Sequence, residues 1–269
     1  MTVHRRTEEE VLVGGGVNQV VRIGSTVRRP AGPWTPTVHA LLDHLRAAGF
    51  TGAPRALGLD TGGREILDFV PGHVASYPLP DYARSDATLR AVAVLLRDYH
   101  DATARFTPPP EATWYLPGRE PTEVICHGDI APYNCVFRDG KPIAFIDFDT
   151  AHPGPRIWDL AYAAYRFVPL TDPGNGDFAL PVEEQARRLG LLADAYQLDD
   201  SDRAALADTA RERLDALVRH MHEQANAGTV AFAEHVAAGH DLLYRTDAAH
   251  IARHTALFTA ALSRKHPQQ

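Results

Sequence analysis

Asp129, Asn134 and Asp147 form an ordered set of oxygen-bearing side chains. Asp129 closes the triplet His127-Gly128-Asp129. Asn134 follows it by five residues, and Asp147 follows Asn134 by thirteen, at the end of the apolar run Ile143-Ala144-Phe145-Ile146. Hard divalent cations such as Mg²⁺ take oxygen ligands, usually with only one or two protein carboxylates, and complete their shell with water and phosphate. An aspartate and an asparagine on neighbouring strand ends suit such an ion. A second aspartate beside them could accept the proton of a hydroxyl. Phosphoryl transfer to an alcohol needs that division of labour. A lone loop aspartate is ordinarily a cap or a turn former; the ordered set of three is what points to chemistry.

One hairpin should bring these residues together. Val124-Ile125-Cys126 reads as a strand, residues 127–134 as a polar loop, Cys135-Val136-Phe137 as a second strand, and residues 143–146 as a third. Strand ends and the loops leaving them are where a rigid scaffold presents functional groups. Upstream, residues 11–29 read as a β-meander with turns at Gly14-Gly15-Gly16 and Gly24-Ser25. Glycines between strands let backbone N–H groups approach a phosphate. Thr35 is placed to cap a helix that runs to about Ala48, with Pro36 in its first turn and Val38, Leu41, Leu42 and Leu45 as its apolar stripe.

Two strands follow at 55–59 and 65–70, and Pro71-Gly72 breaks the pattern. Beyond it the chain is mostly helical. Helices are expected at 86–104, 158–167, 181–196, 200–228, 229–245 and 246–263, with Asp199 capping the fourth of these and a proline-rich connection at 107–121. The expected architecture is therefore α+β in two lobes: a small β-rich lobe over residues 1–70 and a larger, mainly helical lobe over 71–269.

Bulk properties narrow the classes. The 269 residues are 45% hydrophobic and 23% charged, as in an ordinary globular protein. No apolar run is long enough to span a membrane, and the start of the chain has no apolar signal segment, so a cytoplasmic protein is expected. The net charge of −7 argues against a nucleic-acid binder and leans towards a cationic ligand. Cys126 and Cys135 are too few for a disulfide framework and read as small buried residues. Lys141 and Lys265 are the only lysines. Any cationic task before residue 141 must therefore fall to arginine.

At His127-Gly128-Asp129, Asn134, Ile146-Asp147-Phe148-Asp149 and Asp159-Leu160-Ala161 the chain resembles the aminoglycoside phosphotransferase-like kinases, relatives of protein kinases and choline kinases. The resemblance runs from the glycine hairpin to the helical tail. It implies a two-lobed, protein-kinase-like fold and transfer of the γ-phosphoryl group of ATP or GTP, with Mg²⁺, to a hydroxyl of an antibiotic or metabolite. The protein would act as a monomer or homodimer. In that scheme Asp129 is the catalytic base, and Asn134 and Asp147 hold the metal. Gly14, Gly15 and Gly16 cover the phosphates. The backbone of Asp68, Phe69 and Val70 meets a purine. His127 and Asp159 are structural, the latter bracing the catalytic loop, and Asp149 is an additional metal or substrate contact.

Two departures from the family pattern stand out. The phosphate-binding lysine expected on the third strand must be Arg28 or Arg29, and strand alternation lets only one face the cleft. Arg28 is favoured because Thr26, on its face, is small enough to sit near a base. The partner glutamate expected on the following helix is missing; that helix offers His39 and Asp43, of which Asp43 is the better charge partner. These departures sustain an alternative, a non-catalytic binding or immunity protein that keeps the fold. The segment Arg29–Pro36 also resembles trifolitoxin-immunity-like members of the family. A protein kinase is disfavoured, because no Ala-Pro-Glu segment follows Asp149.

Overall fold

The structure is a computed structural model that describes residues 9–12 and 20–264. Its N-terminal part is an antiparallel sheet with one helix. Strands β1 (Glu9–Leu12), β2 (Val20–Ile23) and β3 (Thr26–Arg29) form the expected meander. Gly24 turns β2 into β3 at a φ of 61°, in the left-handed region that glycine enters without steric cost. Helix α1 (Thr35–Ala47) and strands β4 (Ala56–Leu59) and β5 (Glu65–Asp68) follow. Strand β5 lies beside β3, giving the order β1-β2-β3-β5-β4.

The apolar stripe of α1 is buried as its periodicity predicts, and it shares a core with Leu67 of β5. Thr35 is not the cap. Trp34 holds that position, and the Thr35 hydroxyl accepts a hydrogen bond from the Gly32 N–H at 2.9 Å, closing the turn before the helix instead.

The C-terminal part is helical around two small strand ladders. Strand β6 (His73–Val74) and helices α2 (Asp81–Arg84) and α3 (Asp86–Thr103) precede strand β7 (Val124–Cys126). Strands β8 (Cys135–Arg138) and β9 (Lys141–Phe145) make the expected hairpin, to which β6 adds an edge. Strand β7 stands outside that hairpin. It pairs antiparallel with β10 (His152–Gly154), a strand too short and too rich in proline and glycine to read from sequence. Helices α4 (Arg156–Phe167), α5 (Val182–Tyr196), α6 (Asp200–Asn226), α7 (Val230–Ala237) and α8 (His240–Leu262) complete the chain.

Asp199 caps α6, its side chain accepting from the Asp202 N–H at 2.9 Å. The break between the last two helices falls at Gly239 and not near residue 245, because Gly239 takes a φ of 81° that ends the helical run. Helix α4 is buried along its whole length from Trp158 to Phe167. Alanines at 161, 163 and 164 let neighbours close on every side of it. Cys126 and Cys135 are buried and unpaired. Among the described residues, no helix is long and apolar enough to cross a membrane.

The chain leaves the N-terminal sheet through Pro71-Gly72 and is pinned there to the hairpin. Arg138 donates to the Pro71 carbonyl from Nη2 at 2.8 Å and from Nε at 3.2 Å. A Cβ on Gly72 would stand 2.5 Å from the Phe137 carbonyl oxygen, a backbone atom that cannot swing aside. Gly72→Ala is therefore expected to lower stability by roughly 1–3 kcal/mol, the usual effect of overpacking. Arg138→Ala, which removes exposed bonds, should cost less than about 1.5 kcal/mol. Urea denaturation of the two variants measures both.

Candidate active site

A buried aspartate organises the loop that carries Asp129. Asp159, in the first turn of α4, has no exposed surface. Its carboxylate accepts from the His127 N–H at 2.7 Å, the Gly128 N–H at 2.9 Å and His100 Nε2 at 3.1 Å. Burial alone would raise this carboxyl. The His100 bond and the loop N–H groups outweigh it and hold Asp159 at about 2. Other groups fix the rest of the loop. His127 Nε2 donates to the Ile146 carbonyl at 3.0 Å, Thr150 Oγ1 donates to the His127 carbonyl at 3.0 Å, and Arg213 of α6 donates to the Gly128 carbonyl at 2.7 Å. The positive φ of Gly128, 85°, lets the chain pass where a Cβ would meet the Thr150 carbonyl at 2.4 Å.

On this frame the three sequence-selected residues converge. Asp129 is half-buried. Its Oδ1 accepts from the Tyr133 hydroxyl and its Oδ2 from Asn134 Nδ2, each at 2.8 Å. The Asn134 amide nitrogen is thereby committed, and its oxygen is turned away from Asp129. The Ile146 N–H donates to the Asn134 carbonyl at 2.9 Å, which ties the end of β9 to the loop and delivers Asp147 beside it. Asp147 sits in the left-handed region at a φ of 66°, with its side chain half exposed. Burial pushes the Asp129 carboxyl up, Asp147 adds to this, and Tyr133, His127 and Arg166 pull the other way.

The cation on β3 is Arg29, and this corrects the preference for Arg28. Arg29 Nη1 donates to Asp147 Oδ1 and Nη2 to Asp149 Oδ1, each at 2.7 Å, while Nε bonds Glu65. Arg28 lies on the opposite face, with Nη1 on the Thr26 hydroxyl at 2.7 Å and Asp60 nearby at 4.0 Å. The face that bears Arg29 also bears Val27, which packs into the same core as Leu67 and α1, and the hairpin end lies on that side. Burial opposes the charge on Arg29; Asp147, Asp149 and Glu65 outweigh it and raise the guanidinium pKa.

The charge partner also differs from expectation. Asp43 is exposed. The glutamate comes from β5, where Glu65 stands directly opposite Arg29 in the strand register. His39 of α1 completes the set by donating to Glu65 Oε1 at 2.9 Å. Sequence alone carried one signal for this: an acid opening an otherwise apolar strand, Glu65-Ile66-Leu67. The signal acquires meaning only once β5 is placed beside β3.

The remaining expectations divide. Gly14, Gly15 and Gly16 lie outside the described residues. The N–H groups of Asp68 and Phe69 are committed to the carbonyls of Arg55 at 3.1 Å and Ser25 at 2.8 Å, so they are not donors for a purine. Asp149 is brought to the site by Arg29. Tyr133 and Tyr162, whose hydroxyls lie 3.2 Å apart beneath Asp129, were not legible as site residues. The donors on offer to a metal are the Asn134 amide oxygen and the Asp147 carboxylate, the hard oxygens that magnesium takes. Among the described residues no group of three or more His, Cys, Asp or Glu side chains is placed to hold a metal. A site of one amide and one carboxylate, completed by phosphate and water, needs none.

The chain is similar to known proteins in sequence and in fold. The model of the Phosphotransferase enzyme family, APH, matches residues 111–214. The trifolitoxin immunity protein of Rhizobium leguminosarum bv. trifolii is 37% identical over 213 residues, covering 75% of this chain and 78% of that protein. Among solved structures, a choline/ethanolamine kinase family protein from Mesorhizobium loti superposes with a TM-score of 0.58 at 16% identity, over 97% of this chain and 93% of that one. An amicoumacin kinase in complex with AMP-PNP, Ca²⁺ and Ami gives a TM-score of 0.61 at 14% identity, over 86% and 88%. These likenesses show the fold.

Asp159→Asn should destabilise the protein by about 3 kcal/mol, since it strips two buried N–H groups and His100 of their anion. A carboxyl depressed in the fold stabilises it above its unfolded value of 3.8, and that contribution is lost as pH falls towards about 2. The loss is on the order of 2 kcal/mol. Unfolding followed from pH 5 to pH 2 should show it in the wild type and not in Asp159→Asn. Glu65→Gln should cost about 2 kcal/mol by leaving Arg29 short of a partner, while Asp43→Ala should fall within about 0.5 kcal/mol of wild type.

Proposed function

The chain belongs to the APH phosphotransferase family, and on that premise we propose that it transfers the γ-phosphoryl group of ATP or GTP to a hydroxyl of a small antibiotic or metabolite. The observation that carries this reading is the convergence of Asp129, Asn134 and Asp147 with the Arg29 guanidinium. Asp129 takes the proton of the acceptor hydroxyl. Tyr133 and Asn134 hold its two oxygens and so aim it. Its raised pKa makes it a stronger base than an ordinary aspartate. Arg29, held from behind by Glu65, supplies a planar fork that matches phosphate oxygens. Asn134 and Asp147 would hold magnesium, which when bound offsets phosphate charge. The immunity protein to which the chain is similar supports a protective role: phosphorylation of a toxic compound.

One observation favours a second reading, a kinase-fold immunity protein that binds without catalysis. The Arg29 guanidinium occupies Asp147 Oδ1, an oxygen the metal would use, and couples it to Asp149. Arg29 must release Asp147 or share it before a nucleotide–metal complex can settle.

Nucleotide binding and turnover, measured with Mg²⁺ across a panel of hydroxylated acceptors, separates the two readings. Catalysis predicts that Asp129→Asn lowers kcat by about 10²–10⁴-fold, the span of general-base catalysis, with nucleotide affinity kept. Arg29→Ala should instead raise the KM for nucleotide. The kcat of the wild type should fall on acidification through a limb above 3.8, the ordinary aspartate value, because Asp129 must be ionised and its pKa is raised. Nucleotide binding with no turnover on any acceptor selects the second reading. Absence of nucleotide binding rejects the first.

A further inference from the structure

A buried positive charge lies beside Asp129 and has no part in the phosphoryl-transfer scheme. Arg166, near the end of α4, is 7% exposed. Ring faces surround it: its guanidinium carbon is 4.7 Å from the centroid of Tyr77, 5.5 Å from that of Tyr133 and 5.4 Å from that of Tyr165. Its Nε is buried with no hydrogen-bond partner. The acid paired with it is Asp177, at 3.9 Å, beyond hydrogen-bond distance and on a half-exposed side chain. Aromatic faces offset part of the cost of burying a guanidinium. Tyr77 bonds the guanidinium, but the Nε–H is left without a partner, and an unsatisfied buried donor is costly.

The acid deeper in the same region is already saturated. Asp247 accepts from the Asp172 N–H, the Tyr165 hydroxyl and Asn175 Nδ2, each at 2.8 Å. Tyr133 connects the charge to the chemistry. Its hydroxyl donates to Asp129 at 2.8 Å while its ring faces Arg166. Tyr77, Tyr133 and Tyr244 are half-buried around this corner, and the charge of Arg166 acts on Tyr244 as well as on Asp129. A small molecule whose hydroxyl reaches Asp129 would therefore direct its far end at a cation. The net charge of the chain, −7, leans towards a cationic acceptor; the buried charge of Arg166 leans the other way.

We propose that the acceptor is a hydroxylated carboxylate, its carboxylate held by the planar fork of Arg166 between Tyr77, Tyr133 and Tyr165. This rests on the phosphotransferase reading only for the placement of the hydroxyl at Asp129. The fork matches a carboxylate bidentately, and charge-assisted bonds of that kind are the strong ones.

The test uses matched probes that differ in the carboxylate: serine against ethanolamine, glycerate against glycerol, lactate against propane-1,2-diol. Calorimetry on the wild-type protein should show the carboxylated member of a pair binding at least about tenfold more tightly, the effect of one charge-assisted contact. Arg166→Gln should abolish that preference, and Arg166→Lys, which keeps the charge and loses the fork, should retain part of it. In turnover with Mg-ATP, Arg166→Gln should raise the KM for the acid at least about tenfold more than the KM for its neutral partner. Equal affinity within every pair, no binding of any carboxylate, or a preference that survives in Arg166→Gln overturns the proposal. The wild-type comparison stands even where a variant fails to fold. Carboxylate binding without phosphoryl transfer would keep this site and reject the kinase reading; transfer to neutral or cationic acceptors alone would do the reverse.

Discussion

Arg29 is the interaction on which the rest of the site depends. One guanidinium faces three carboxylates: Glu65 from its own sheet, and Asp147 and Asp149 from beyond the end of β9. A buried ion pair is favourable only when its geometry is good and its remaining hydrogen-bonding groups are satisfied. Here each of the three guanidinium nitrogens has its own carboxylate. The cluster joins the N-terminal sheet to the end of β9, so it sets where Asp147 sits relative to any phosphate. It also leaves a local excess of negative charge, which a divalent cation would balance. The cation that joins the sheet to the end of β9 thus competes for the oxygens a metal would take, and this competition gives the two functional readings their common physical origin.

The second constraint lies behind the site. The Tyr196 hydroxyl donates to His100 Nδ1 at 2.6 Å, and His100 Nε2 donates to Asp159 at 3.1 Å. Asp159 in turn accepts the two N–H groups that open the Asp129 loop. Side chains from α5, α3 and α4 therefore converge on two peptide groups. The loop is irregular backbone in a buried setting, where unpaired N–H groups would be costly. Asp159 satisfies them, and α4 is buried around it from Trp158 to Phe167. Burial of that helix thereby fixes the frame that carries Asp129.

Legibility followed sequence distance. Asp129, Asn134 and Asp147 lie within nineteen residues on one strand–loop–hairpin unit, so their meeting follows from local patterning alone. The choice between Arg28 and Arg29 did not. Alternation says that adjacent residues face opposite ways; it does not say which way is inward. That was decided by α1 and the hairpin end packing on the Val27 and Arg29 face. Glu65 was missed for a related reason. The family pattern places the glutamate on the following helix; here the carboxylate comes from a neighbouring strand through cross-strand register. Strand β10 escaped notice because His152-Pro153-Gly154 carries no strand propensity and pairs only because β7 runs beside it.

The sequence by itself determined the α+β class, the order of the elements and the identity of the oxygen-bearing set, because periodicity, turn chemistry and short spacings are local properties. It also determined that any cationic task before residue 141 would fall to arginine, since no lysine precedes Lys141. Only the tertiary structure decided which arginine faces inward, which glutamate it meets, and that Arg166 sits within a ring of tyrosines that reaches Asp129. Those outcomes depend on contacts between residues tens of positions apart. Such contacts are set by how layers pack and how strands register, and a one-dimensional pattern does not encode them.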